Sequence, residues 1–179
     1  MTGLFMLAAL PLFTACGPSE DAIVNGLQSP NPAVREDMVK IARNSNGDKV
    51  VQGLIDVLED PATDIRREAI DSLVKLDSVD AVPALIDRLQ DEDDQVQRAA
   101  VDALGTLADS RATEPLVAYI ETRIQGSVKD PTVRIPLNAI WALGNIGDNR
   151  ALDVLARLRD NLDPYVSYNA NWALRQLKV

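Results

Sequence analysis

The chain has 179 residues, 27 acidic and 18 basic side chains and a net charge of −9. It carries no histidine and a single cysteine. That excludes imidazole general bases, Ser-His-Asp and Cys-His nucleophile systems, histidine-ligated metal or haem, disulfides within the chain, and zinc or iron–sulfur clusters. The acidic balance and the 4% of aromatic residues argue against nucleic acid as a partner.

Residues 1–16 form an apolar run, with no charge before Glu20. The run has the length of a signal-peptide core and is shorter than the roughly 20 residues that cross a bilayer as a helix. It ends Phe13-Thr14-Ala15-Cys16, followed by Gly17-Pro18-Ser19. Small residues directly before the sole cysteine resemble a bacterial lipobox, although Phe13 stands where leucine is usual and no Lys or Arg precedes it. The resemblance implies a signal peptide over 1–15, a diacylglycerol on the Cys16 thiol and a tether over 16–19. It also implies a membrane contact through that anchor, with Gly17 favouring the outer membrane, facing the periplasm or the cell surface. The folded part is then 20–179.

From there the sequence repeats. Val34, Ile65, Val96, Ile135 and Val166 are spaced by 31, 31, 39 and 31 residues. At offsets of 4, 8 and 11 from each anchor, and at 16, 20 and 24 from the first four, the residues are apolar except Ser45 and Arg159. Of the 32 positions so defined, 30 are apolar in a chain that is 46% hydrophobic, so the period is not chance. Each group of offsets lies on one face of a 3.6-residue helix, which makes each repeat two amphipathic helices, A then B. Counting back one period from Leu54 and Leu58 gives Ile23 and Leu27, a leading B helix over about Ser19 to Gln28. Asp60-Pro61, Asp130-Pro131 and Asp163-Pro164 place Asp as N-cap and Pro at the first helical position, and Gly147-Asp148 ends one helix and begins the next. The expected fold is all-α: an α-solenoid of about ten helices, built as a half repeat, four repeats and a half repeat. Eight extra residues fall around Glu121 to Lys129. Asn171, at a position apolar in the other repeats, and Arg175 give the last helix a polar outer face, as a terminal helix requires.

Ala81-Val82-Pro83-Ala84-Leu85-Ile86, Ala103-Leu104-Gly105-Thr106-Leu107 and Ala142-Leu143-Gly144-Asn145-Ile146-Gly147-Asp148 resemble HEAT repeats, and Val34-Arg35 and Ile65-Arg66 match the start of the short PBS-lyase-type HEAT-like repeat. The resemblance implies scaffolds and binders for the most part, with a few enzymes. Its di-iron members imply His-Glu ligands, which a histidine-free chain cannot supply.

Four features bear on function. Asp91-Glu92-Asp93-Asp94 reads as an inter-repeat turn capping a helix that begins near Gln95, and lacks the glycine and spacing of a calcium loop. Asp56, Glu59, Asp87, Glu121 and Asp160 recur on B helices, either as an acidic concave face or as ordinary solvated charge. On the A helices, offsets 2 and 6 are neighbours and carry opposite charges in three repeats: Glu36–Lys40, Arg67–Asp71 and Arg98–Asp102. In the last two they become Leu137–Trp141 and Tyr168–Trp172, with Asn138 and Asn169 beside them. Either this is a protein-binding patch or the insertion covers it. No catalytic, metal or cofactor residue is identified. The function read from these features is a lipid-anchored, non-enzymatic scaffold that binds another protein. The alternatives are a bilin-lyase-like or chaperone-like protein acting on a cofactor-bearing protein, and a cytoplasmic HEAT interaction module.

Overall fold

A computed structural model describes residues 17–124 and 134–177. Among the described residues the regular structure is helical, with ten α-helices. The A helices are α2 (Pro32–Ala42), α4 (Thr63–Lys75), α6 (Asp94–Leu107), α8 (Leu137–Ile146) and α10 (Pro164–Gln176). The B helices are α1 (Glu20–Leu27), α3 (Asp48–Val57), α5 (Val82–Asp87), α7 (Thr113–Ile124) and α9 (Leu152–Arg159). This is the α-solenoid that the 31-residue period predicts, with half repeats at both ends. Residues 1–15, expected as a signal peptide, lie outside the described residues, as do Cys16, Asp130-Pro131 and most of the insertion.

Local chemistry accounts for the boundaries. Ser19 caps α1 by accepting from the Ala22 N–H at 3.3 Å, and Gln28 ends it, so the leading B helix falls where the period puts it. Asp163 caps α10 with Pro164 in its first turn. Asp93 accepts from the Gln95 and Val96 amides at 2.8 and 3.3 Å, so the acidic run does cap α6. Three A helices end on equivalent residues with left-handed backbone: Asp77 (φ 51°), Ala108 (φ 51°) and Gly147 (φ 67°). Only at Gly147 is that conformation free of Cβ crowding.

Asp60 departs from expectation. The N-cap of α4 is Ala62, not Asp60. Arg35 draws the Asp60 carboxylate inward, with hydrogen bonds of 2.5 and 3.0 Å, and Asp60 reaches the chain only through the Ala62 N–H at 2.8 Å.

One continuous apolar core runs from Ile23 to Leu177, because each A helix packs on the next and each repeat's inward face covers its neighbour's. Val34 is 37% exposed, whereas Ile65, Val96, Ile135 and Val166 at the same repeat position are all buried. No described helix precedes α1 to cover Val34.

Candidate protein-binding face

The residues singled out on the A helices form a ridge on α8 and α10. Leu137 and Trp141 are each 38% exposed and Tyr168 is 74% exposed. Trp172 is half-buried and packs against the core. Tyr165 and Leu162 beside them are also exposed. The ridge is uncharged: α8 has no ionisable residue, and Arg175 is the single charge on α10.

Two buried glycines hold the indoles in place. A Cβ on Gly105 of α6 would lie 3.0 Å from Trp141 Cζ3 and 2.7 Å from Ala142 Cβ. A Cβ on Gly144 of α8 would lie 2.4 Å from Trp172 Cζ3 and 3.0 Å from Ala173 Cα. Each indole therefore tucks its edge into the notch left by a glycine on the preceding A helix. An aromatic ring fixed this way loses little freedom on binding. The two asparagines are committed within the fold. Asn138 donates to Asp102 Oδ1 at 3.0 Å, and Asn169 donates to the Tyr165 carbonyl at 2.7 Å.

The charged pairs of the first three repeats are only partly formed. Lys40 and Glu36 pair at 2.5 Å. Arg67 turns instead to Asp64 at 3.5 Å, and Arg98 donates to the Asp94 carbonyl. The expected Arg67–Asp71 and Arg98–Asp102 pairs are not made, because one turn back each arginine finds an acceptor nearer its own backbone.

On the B side, Asp56, Glu59 and Asp87 line one cleft together with Arg88. Glu121 and Asp160 are not part of that cluster. Glu121 sits on α7, ion-paired to Arg157, and Asp160 follows α9, 3.3 Å from Arg159. Arg88 stands 4.0 Å from Glu59 and 3.7 Å from Asp91. Basic partners thus offset much of the acidic row.

An internal ladder was missed at the level of sequence. Arg66 makes a two-pronged contact with Asp91 at 3.0 and 2.7 Å, with side chains 5% and 3% exposed. It repeats the Arg35–Asp60 contact one period on. The same row also reaches back to a carbonyl six residues upstream: Arg35 to Ser29, Arg66 to Asp60 and Gln97 to Asp91, at 2.9, 2.8 and 2.7 Å. In the third repeat the polarity inverts, and Gln97 Oε1 accepts from Arg123 at 2.6 Å. Burial pushes the Asp60 and Asp91 carboxyls up, but the arginine hydrogen bonds and charges and one backbone N–H each outweigh it, leaving both below the usual carboxylate range. Asp91 is therefore a structural ion-pair partner, not only a turn residue. The sequence signal was available: an Arg–Asp spacing of 25 that recurs after 31 residues.

Among the described residues no group of three or more Cys, Asp or Glu side chains is placed to hold a metal ion, and no helix is long and apolar enough to cross a membrane.

A family model for HEAT repeats matches over residues 19–96, 51–130 and 82–175. The chain belongs to the HEAT-repeat family. Among solved structures, this HEAT chain is similar to the complex of CpcE and CpcF of phycocyanin lyase from Nostoc sp. PCC7120, at 26% identity and a TM-score of 0.70, covering 95% of this chain and 70% of that one. It is also similar in fold to a designed armadillo repeat protein in complex with the peptide (KR)4, at 20% identity and a TM-score of 0.60, covering 88% and 81%. A second set of computationally designed armadillo repeat proteins, made for modular peptide recognition, matches at the same identity, TM-score and coverage. No curated protein sequence matches significantly.

Proposed function

We propose that this HEAT protein is a non-enzymatic scaffold that binds another protein through the α8–α10 ridge, and that Cys16 is lipidated and holds it to the cell envelope. The observation that carries the binding reading is the exposed, uncharged row of one aliphatic and two aromatic side chains, Leu137, Trp141 and Tyr168, on helices whose counterparts carry charge. Trp and Tyr dominate interaction hot spots, and contiguous exposed apolar residues on a soluble surface mark contact sites. The lipid anchor rests on the sequence around Cys16 alone. The test is a comparison of cross-linked partners captured by the wild type and by Trp141→Ala/Tyr168→Ala. The partner band should be lost in the variant, at a cost of about 2 kcal/mol or more in affinity if these are hot spots. An unchanged band would refute the ridge. For the anchor, labelled palmitate should enter the wild type and not Cys16→Ser.

A second reading is favoured by the likeness to the CpcE–CpcF lyase complex: a lyase-like role on a cofactor-bearing protein. Incubation with a bilin and chromophore-free phycocyanin would separate the two, since a scaffold produces no covalent bilin adduct.

A further inference from the structure

The grooves between successive A helices are not filled alike. Between α6 and α8 the Trp141 ring lies on Gly105, and between α8 and α10 the Trp172 ring lies on Gly144. The repeat position of those two tryptophans is Asp102 on α6, and the position of the two glycines is Val74 on α4. A short acidic side chain cannot cover an apolar floor as an indole does. The groove between α4 and α6 is accordingly open, with a volume of about 440 Å³. Its floor is Ile70 and Val74 from α4 and Ala99 and Ala103 from α6.

The rim is polarised. Arg67 and Arg98 occupy the same position in successive repeats and stand at one end, while Asp71 and Asp102 stand one helical turn further along. Asp102 is held by the Asn138 amide at 3.0 Å, and Arg98 by the Asp94 carbonyl at 3.2 Å. The α6–α8 groove keeps Arg98 and Asp102 on one side and has Leu137 and Trp141 on the other, and the α8–α10 groove is rimmed by Leu137, Trp141, Tyr168 and Trp172, so of these three grooves α4–α6 alone has charge on both sides and no indole over its floor.

We infer that the α4–α6 groove is a second docking site, which takes an aromatic side chain from a partner protein over Val74 and Ala103, at the place where the next two grooves lay Trp141 and Trp172 over glycine. The charge of the rim specifies the flanks of that residue. A carboxylate on one side meets Arg67 and Arg98, and a cation on the other meets Asp71 and Asp102. The occupant is thus a segment of the form acidic–aromatic–basic. A purely basic or purely acidic segment would set like charges against one end of the groove. This site does not depend on the α8–α10 ridge.

The probe is a capped peptide, Gly-Glu-Trp-Lys-Gly, titrated into the ¹⁵N-labelled domain. Amide shifts should gather on Val74, Ala99 and Ala103, with a Kd below the millimolar range, and the same peptide with Ser for Trp should bind at least tenfold more weakly. Ala99→Phe fills the groove and should abolish binding at an unchanged melting temperature. Arg98→Glu, on the exposed rim, should weaken binding severalfold and covers the case in which the larger side chain disturbs folding. Trp141→Ala should bind the peptide as the wild type does. Shifts that are absent or fall on α8 and α10, wild-type affinity in Ala99→Phe or in Arg98→Glu, or loss of binding in Trp141→Ala would each overturn the inference.

Discussion

The two ends of this solenoid share one backbone plan and are held by different chemistry. From α2 to α6 the rows between repeats are ionic: Arg35 with Asp60, Arg66 with Asp91, and Arg43 with Glu68. From α6 to α10 the A helices meet through small residues, with Gly105 against Ala142 and Gly144 against Ala173, and aromatic rings close the seam. The charges follow the same division. Residues 17–124 hold 22 acidic and 11 basic side chains, whereas 134–179 hold 4 and 6. A solenoid needs only that each repeat bury its neighbour's inner face. The solvent side of the A helices is therefore free to carry charged side chains in one half and an apolar, aromatic-rich ridge in the other.

The sharpest way to break that comparison is to remove one ladder cation. Arg66→Ala leaves the Asp91 carboxylate 3% exposed with its main cation gone. Removing one partner of a buried pair costs about 3–5 kcal/mol, because the remaining charge stays desolvated. Urea unfolding should show the loss. Arg66→Met combined with Asp91→Leu removes both charges and should recover most of it. Failure of the double variant to recover would mean that the carbonyl contact from Arg66 to Asp60 carries more than the ion pair does.

The counterpart at the other end is Gly105→Ala. The new Cβ would sit 2.7 Å from Ala142 Cβ and 2.8 Å from its Cα. The second contact is backbone, so α6 and α8 must separate. Overpacking of this kind costs about 1–3 kcal/mol. The same change should alter Trp141 fluorescence, since the indole edge rests on that glycine, and the Arg66 variant should not.

Acid should tell the halves apart more gently. Asp60 and Asp91 lie below the usual carboxylate range in the folded chain. A depressed folded value means that their contribution is present above the unfolded value near pH 4 and is lost as pH falls through the folded one. Below about pH 4, hydrogen-exchange protection should therefore fall in α2, α4 and α6 before it falls in α8 and α10. The turn carboxylate Asp148 is the exception in the second half. Its pairing with Arg150 and with that residue's N–H lowers it to about 2, so that turn should persist to lower pH than a free aspartate would allow. Simultaneous loss of protection in both halves would show that the solenoid opens as one unit.

The period made the helices, their pairing and the leading half repeat legible, because burial repeats with the sequence. Asp163 was readable as a cap because nothing competes for it, whereas Asp60, in the same Asp-Pro setting, was misread because Arg35 lies 25 residues away in sequence and one helix away in space. The same distance hid Asp91. The aromatic row was visible as a break in a charged pattern, but how far each ring stands out was not. That depends on the preceding A helix, where Gly105 and Gly144 leave notches for the edges of Trp141 and Trp172.

The smallest effect sharpens the comparison most. Lys40→Ala removes the one charge pair of the A-face row that forms as its spacing suggests, between side chains 48% and 49% exposed. Exposed pairs of this kind contribute little once screening and the ordering of two long side chains are counted. The urea midpoint should not move measurably, and added salt should make no difference between variant and wild type. The geometry already points this way, since Arg67 prefers Asp64 to its row partner Asp71. If the row carries almost no stability in α2, replacing it by Leu137, Trp141, Tyr168 and Trp172 in α8 and α10 sacrificed none. The docking role proposed for that row then carries no cost in stability. A clear drop in the midpoint for Lys40→Ala would reverse that conclusion and return the ridge to a purely internal role.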